Sequence, residues 1–338
     1  MIDLLSLQQK LVPELMELME KRYRILYHIQ LSQPIGRRSL MNAVNLTERV
    51  LRAEVELLKE QQLIQIQPIG MSLTEQGEEV VEKLFSIMNT VSGTEGKERA
   101  LAAKYGIEKI IIVPGDCDQV PNLQEELGAK AAQELVKLLS SDDILAVTGG
   151  STINKVAKHI PPVLVGEKPK IVVPARGSFG GNVETQANLT CAQLANKLGV
   201  PYITLYLPDQ LSEASLQSIS HEPEIKLALD YLQQSTVILH GIGDALKMAN
   251  RRNTDMKALE LLGEKTAVGE AFGAYFDKDG KVVYKLLTVG LQIEQLQDKK
   301  HLIAVAGGAS KAEAIRAYLK FAPTSTILIT DEAVANNL

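Results

Sequence analysis

The sequence predicts an α/β protein in two parts, a small helical domain closed by a β-hairpin followed by a larger Rossmann-like domain with a parallel sheet. Three observations predict it. Helical apolar periodicity over residues 37–61 is interrupted by the tight turn Asn45-Leu46-Thr47, and a short alternating run follows. From Lys109 onward, short β-branched runs recur with helical stretches between them. Within that second region Val147-Thr148-Gly149-Gly150-Ser151-Thr152 reads as a strand running into a glycine turn and a helix start. At 338 residues and 45% hydrophobic, the chain has enough apolar material for both cores.

The elements follow in order. Residues 3–30 carry apolar side chains at helical spacing, with Pro13 near a helix start or at a kink. Gln33-Pro34-Ile35-Gly36 breaks that helix. A helix over Arg37–Ala43, the turn and a second helix over Glu48–Gln61 form a helix-turn-helix, with Thr47 as N-cap and Glu48 favouring the helix dipole. Leu63–Ile66 and Met71–Leu73 flank the turn Pro68-Ile69-Gly70 as a hairpin wing. Thr74 caps a further helix through Met88, and Ser92–Gly96 is the linker candidate, which sets the domains at 1–90 and 91–338. Strands are expected at 110–113, 144–148, 170–173, 202–206, 236–240, 303–306 and 325–329. The segment 270–291 breaks the rhythm, with a hairpin turning at Asp279-Gly280.

Composition excludes several classes. No apolar run approaches the ~20 residues of a membrane span. The first ten residues lack the basic and apolar regions of a signal peptide. Two cysteines, Cys117 and Cys191, stand in no paired motif, which argues for a reducing cytoplasm and against a disulfide framework or a Cys-based zinc site. Net charge is −5, yet from Lys21 to Lys59 eight basic residues face three acids. That excess falls on the winged helix-turn-helix. Arg49 and Arg52, near the N-terminal half of the second helix, have the reach and the two-donor geometry to read guanine, while Arg37, Arg38, Ser39 and Thr47 sit where phosphates are held. A winged helix used for protein contacts, its charges merely solvated, is the alternative.

Four strand ends carry glycine with polar or cationic company: Gly149–Thr152, Pro174–Gly177 with Arg176, Gly241–Asp244, and Gly307–Lys311. Glycines let backbone N–H groups approach a phosphate, and a helix N-terminus adds its dipole. Arg251-Arg252 adds a basic pair. Two phosphate-competent loops with separate cations suggest a ligand with two anionic ends. Ordinary βα turns with surface charges remain the alternative.

These parts, in this order, resemble the SorC/DeoR-like sugar-sensing bacterial regulators. The segments that carry the resemblance are Gln33–Leu40, Val147–Thr152, Val173–Gly177, His240–Gly243, Arg251–Thr254, Glu270–Gly273 and Val305–Ala314, spread over nearly the whole chain. The resemblance implies a repressor of glycolytic genes whose DNA binding is modulated by fructose-1,6-bisphosphate. It also implies an effector domain similar to glucosamine-6-phosphate deaminase and ribose-5-phosphate isomerase. Carried onto matching positions, the effector meets Gly149, Gly150, Ser151, Thr152, Arg176, Gln186, Arg251, Glu270 and Lys311, with Gln186 and Glu270 reading sugar hydroxyls. Ser151 departs from the pattern, standing where a threonine is usual, and keeps the hydroxyl donor.

Three rivals stay open at this level. A phosphosugar isomerase or deaminase needs a carboxylate and a histidine placed for proton transfer. Asp244 follows Gly241-Ile242-Gly243 without a histidine behind it, and His240 reads as a packed strand end, so no catalytic or metal-binding residue is expected. The effector could instead be another sugar phosphate, and nothing in the residues sets the sign of regulation. Residues 3–30 and 74–105 are the expected dimerising helices, with dimers, and dimers of dimers, on two-fold operators.

Overall fold

The computed structural model describes residues 11–44, 46–91, 94–120, 122–161, 167–178, 183–252, 263 and 266–338. Residues 3–10 of the first expected helix, Asn45 of the turn, Ser92-Gly93 of the linker and Asn253-Thr254 lie outside the described residues, as do the side chains of Phe85, Ile87 and Met88. The chain divides into two compact units, residues 1–100 with 115–123, and residues 101–114 with 124–338.

The first unit is a winged helix-turn-helix. Pro13 occupies the first turn of α1 (Pro13–Ser32), where its missing N–H costs nothing. Helices α2 (Arg37–Val44) and α3 (Glu48–Glu60) follow, then the hairpin β1 (Ile64–Gln67) and β2 (Gly70–Leu73), then α4 (Glu75–Val91). Leu40, Val44, Leu51, Val55 and Leu58 form the predicted small core, joined by Tyr23, Ile25, Leu26 and Ile29 of α1; Leu46 packs only partly buried against it. The wing is anchored at its base. Ile35 and Met71 exchange both backbone hydrogen bonds, at 3.0 and 2.8 Å. A Cβ on Gly70 would press on the Ile35 backbone at 2.9 Å, so only glycine permits that approach. Thr74 caps α4 as predicted, its Oγ1 accepting from the Gly77 N–H at 3.1 Å.

The second unit is built on a six-stranded sheet in the order β3-β12-β11-β6-β4-β5. Its strands are β3 (Lys109–Val113), β4 (Ile144–Val147), β5 (Ile171–Pro174), β6 (Val237–Gly241), β11 (His301–Val305) and β12 (Thr326–Asp331), and every pairing is parallel. Strands β4 and β12 are buried at every position, as expected of strands covered on both faces. Chain order reverses between neighbouring β4 and β6: β4 leads outward to β5, while β6 leads to β11 on the other side. Segment 270–291 does break the rhythm. Strands β7 (Gly243–Asp244), β8 (Ala267–Ala271), β9 (Ala274–Asp277) and β10 (Val282–Lys285) form a separate antiparallel sheet.

One predicted strand is absent. Residues 202–206 make a single bridge, Val172 to Tyr202, and no ladder. The Asn188 side chain takes the place of a neighbouring strand. Its Oδ1 accepts from the Leu205 N–H at 2.8 Å, and its Nδ2 donates to the Leu205 carbonyl at 3.0 Å. Among the described residues no helix is long and apolar enough to cross a membrane.

Candidate functional site

Open α/β sheets bind ligands where the chain order reverses, beyond the carboxyl ends of the strands. A cleft of about 220 Å³ lies at that place, between the loop after β4 and the loop after β6. Each wall has a local reason. Helix α7 (Ser151–His159) starts from Gly150, whose φ of +130° suits glycine and which brings no side-chain cap to the helix N-terminus at the cleft. Gly149 lies so close to the short helix at 183–185 that a Cβ would meet the Thr185 carbonyl at 2.1 Å. Opposite, Gly308 (φ +102°) donates its N–H to the buried Asp331 carboxylate at 2.6 Å, which fixes the turn carrying Lys311 ahead of α12 (Ala312–Leu319).

Beneath the cleft four charged side chains neutralise one another. Arg176 grips Asp209 through Nε and Nη2 at 3.0 and 2.8 Å and reaches Glu270 through Nη1 at 3.2 Å. Arg252 donates to Glu270 Oε1 at 3.0 Å and to the Tyr275 hydroxyl at 3.0 Å, and its Nε lies 3.5 Å from Asp209. All four are buried, Asp209 to 1% exposure and Glu270 to 4%. Burial alone would raise the Glu270 carboxyl, but Arg252, Arg176 and the Gly273 N–H outweigh it and hold it below the usual range. Burial likewise opposes the charge on Arg252, and Glu270, Tyr275 and Asp209 overcome it, keeping that guanidinium above its ordinary range. Phe272 and Gly273, at φ +52° and +81°, make the tight turn between β8 and β9 that aims the Gly273 N–H at Glu270, 2.7 Å away.

Most of the predicted effector residues meet here. Gly149, Gly150, Ser151, Thr152, Arg176, Arg251, Glu270 and Lys311 all line the one cleft. Gln186 is not among its lining residues. It sits at the N-cap of α8 (Ala187–Leu198) without a side-chain cap bond, and its backbone packs against Gly149. Glu270 is not an exposed acid but the centre of the buried ring. Sequence reasoning missed Lys247 and Asp209, and noted Arg252 only as a neighbour of Arg251. Lys247 lines the cleft from the first turn of α11 (Ala245–Arg251), three residues after the N-cap Asp244, a spacing readable in sequence. Asp209, in the Leu207-Pro208-Asp209 segment, left no such signal.

His240 and Asp244, the two groups weighed for proton transfer, are both engaged within the fold. His240 is fully buried between Phe272 and Tyr318; its Nδ1–H donates to the Gly241 carbonyl at 3.1 Å, and its Nε2 accepts from the Tyr318 hydroxyl at 3.2 Å. Burial lowers its pKa to about 4. Asp244 spends its Oδ1 on the Lys247 N–H, as a helix cap.

In the first unit Arg37, Arg38, Ser39, Thr47, Arg49 and Arg52 are all exposed, along with Glu48, Ala53 and Glu56 on the outward face of α3. Glu54 is the exception on that helix. It turns inward, where Lys21 and Arg22 of α1 hold it, Arg22 Nε at 2.8 Å. Burial would raise its carboxyl, and the bonds from Lys21 and Arg22 reverse that and lower it. Two of the eight basic residues are therefore committed to an internal ion pair rather than to a partner's phosphates. Thr47 occupies the N-cap of α3 with extended backbone, but its side chain makes no cap bond.

Comparison with known proteins agrees with both units. Residues 18–88 match the CggR N-terminal DNA-binding domain, and residues 90–338 match a putative sugar-binding domain. The chain is 46% identical to the central glycolytic genes regulator of Priestia megaterium and 44% identical to that of Bacillus subtilis, covering all of this chain and 98% and 99% of theirs. Among solved structures, a putative SorC family transcriptional regulator from Enterococcus faecalis superposes with a TM-score of 0.67 at 40% identity, over 72% of this chain and 98% of that one. The full-length sorbitol operon regulator SorC from Klebsiella pneumoniae shares the fold over 92% of this chain and 96% of its own, with a TM-score of 0.64 at 18% identity. The chain belongs to the SorC family of DNA-binding transcriptional regulators and, within it, to the central glycolytic genes regulators.

Proposed function

We propose that this protein represses glycolytic genes by binding operator DNA through α3 and its flanking basic residues, and that fructose-1,6-bisphosphate in the cleft of the second unit modulates that binding. The observation that carries the effector reading is the division of charge at the cleft. Arg176 and Arg252 at its floor are held by Asp209 and Glu270, and Lys247, Arg251 and Lys311 line its walls beside two glycine-supported turns, Gly149-Gly150 and Gly307-Gly308. Cations on separate walls suit a sugar with a phosphate at each end, each phosphate taking charge-assisted hydrogen bonds. The cleft is a binding module rather than a catalytic one, because His240 has no access to it.

The effector acts by binding one quaternary arrangement better than another, with dimers of the chain reading a two-fold operator. A thermal-shift titration of the full chain against fructose-1,6-bisphosphate, fructose-6-phosphate, glucosamine-6-phosphate, ribose-5-phosphate and dihydroxyacetone phosphate tests the reading. The bisphosphate should raise the melting temperature by mass action, worth about 2.7 kcal/mol at a hundredfold excess over Kd. The response should shrink in Lys311→Ala and Arg251→Ala, and the same titration should weaken operator binding. A shift with a different sugar alone would replace the effector; no shift with any would remove the phosphosugar reading.

A further inference from the structure

The geometry points to Asp209 as a positioning residue for effector recognition, acting through Arg176 to present one oxygen of Glu270 to the hydroxyls of a polyol phosphate. The inference rests on the phosphosugar reading and deepens it. It gives Arg176 the role of a strut.

The two oxygens of Glu270 have different surroundings. Oε1 accepts three hydrogen bonds, from Arg176 Nη1, Arg252 Nη2 and the Gly273 N–H. That is more than the two lone-pair sites of one carboxylate oxygen, so Oε1 has no room for a further donor. Oε2 accepts none among the described residues, although the residue is only 4% exposed. It faces Gly243 on the cleft wall, 3.5 Å from where a Cβ on that glycine would stand. An acceptor without a protein donor can take one from a ligand. The Glu270 carboxyl is held below its usual range, so the oxygen is an acceptor and nothing else. A hydroxyl can donate to it; a phosphate, itself an acceptor, is repelled. The middle of the ligand therefore belongs at Glu270 and its anionic ends at the glycine turns.

Arg176 is oriented by its two carboxylate partners, which take three of its five N–H donors. Its Nε and Nη2 are taken by the two oxygens of Asp209, and Nη1 by Glu270. Asp209 itself does not line the cleft. It is held in place by backbone: its N–H donates to the Ser178 carbonyl at 2.6 Å, and its carbonyl accepts from the Val289 N–H at 2.8 Å. The strut thus runs from a fixed backbone segment through Asp209 and Arg176 to Oε1 of Glu270, and so sets where its other oxygen, Oε2, faces the ligand. A planar guanidinium held by a bidentate carboxylate sets an orientation that lysine cannot.

The test compares two bisphosphates on the full chain by calorimetry: fructose-1,6-bisphosphate, and hexane-1,6-diyl bisphosphate, which has both phosphates and no hydroxyls. The wild-type protein should prefer the sugar. Asp209→Asn should weaken sugar binding about tenfold or more while leaving the hydroxyl-free bisphosphate within about twofold, so that the preference collapses. Arg176→Lys, which keeps the charge and loses the fork, should do the same and repeats the test from the other side of the pair. If both ligands weaken together in either variant, Arg176 is a phosphate ligand or a general support and the positioning role is wrong. If neither weakens, Glu270 does not read the hydroxyls. If the wild-type chain binds neither bisphosphate, the phosphosugar reading itself has failed, an outcome distinct from the other two.

Discussion

The arginines of the two units are put to opposite uses. In the first unit Arg37, Arg38, Arg49 and Arg52 stand in water on the helix-turn-helix. In the second unit Arg176 and Arg252 lie under the cleft, ringed by Asp209 and Glu270. Exposed charges keep their counterions until a polyanion displaces them, so their value is realised in trans and falls with salt. Buried charges are already neutralised, so their value is geometric: they fix which atoms face the cleft. Residue type alone does not reveal which use a position serves.

The largest expected effect breaks the buried arrangement. Arg252→Ala leaves Glu270 and Asp209 with one cation between them and the Tyr275 hydroxyl without its donor. Removing one partner from a buried ion pair costs about 3–5 kcal/mol. Denaturant unfolding should show that loss in the second unit's transition, with the first unit's transition unmoved.

Acid should then destabilise both units, each through one buried histidine. His28 in the first unit and His240 in the second have their pKa lowered by burial to about 4, with Arg24 adding to the effect at His28. The unfolded chain binds their protons near pH 6.5, so between that value and about 4 it holds more protons than the folded state. Stability therefore falls as pH is lowered through this window, by about 1.4 kcal/mol per unit for each histidine. Glu270, whose carboxyl is lowered in the fold, adds a loss of the same sign at lower pH. Calorimetric melts from pH 7.5 to 4.5 check this, and His240→Gln should reduce the slope for the second unit only.

Arg52→Ala sharpens the comparison from the exposed side. It should leave both melting transitions in place and cost about 1–3 kcal/mol in operator affinity, with relaxed specificity at the base it reads. Fluorescence anisotropy across a salt series measures this. A loss of stability in Arg52→Ala would mean that the exposed arginines are structural too, and the contrast between the units would fail.

Periodicity made the helix-turn-helix, the wing and six of the parallel strands legible, because each depends on residues close in sequence. The glycine turns were legible for the same reason: at these strand ends Gly149 has no room for a Cβ, and Gly150 and Gly308 have the positive φ that favours glycine. Segment 202–206 misled because its β-branched and aromatic run is satisfied by Asn188, a side chain from α8 that no local pattern announces. Arg176, Asp209, Arg252 and Glu270 come from four distant stretches of chain, so their mutual neutralisation existed only in three dimensions. Glu54 teaches the same lesson on a smaller scale. In the charge balance of the segment it counts only as an acid, and its pairing with Lys21 and Arg22 of α1 appears only in the packed unit.

The smallest effect concerns Thr47, where sequence and structure differ about one hydroxyl. A threonine that caps a helix typically contributes about 1 kcal/mol. Thr47 has the N-cap position and the extended backbone of a cap, yet its exposed side chain makes no cap bond to α3. Thr47→Ala should therefore shift the first unit's stability by less than about 0.5 kcal/mol, the range of ordinary surface changes. The hydroxyl stands at the start of the recognition helix, where phosphates are commonly held by neutral donors. Its removal should lower operator affinity a few-fold while leaving the salt dependence unchanged, because a neutral contact releases no counterion. A stability loss of the full capping size would show that Thr47 closes back onto α3 in solution. Any weakening of DNA binding would then report a loosened helix rather than a lost phosphate contact.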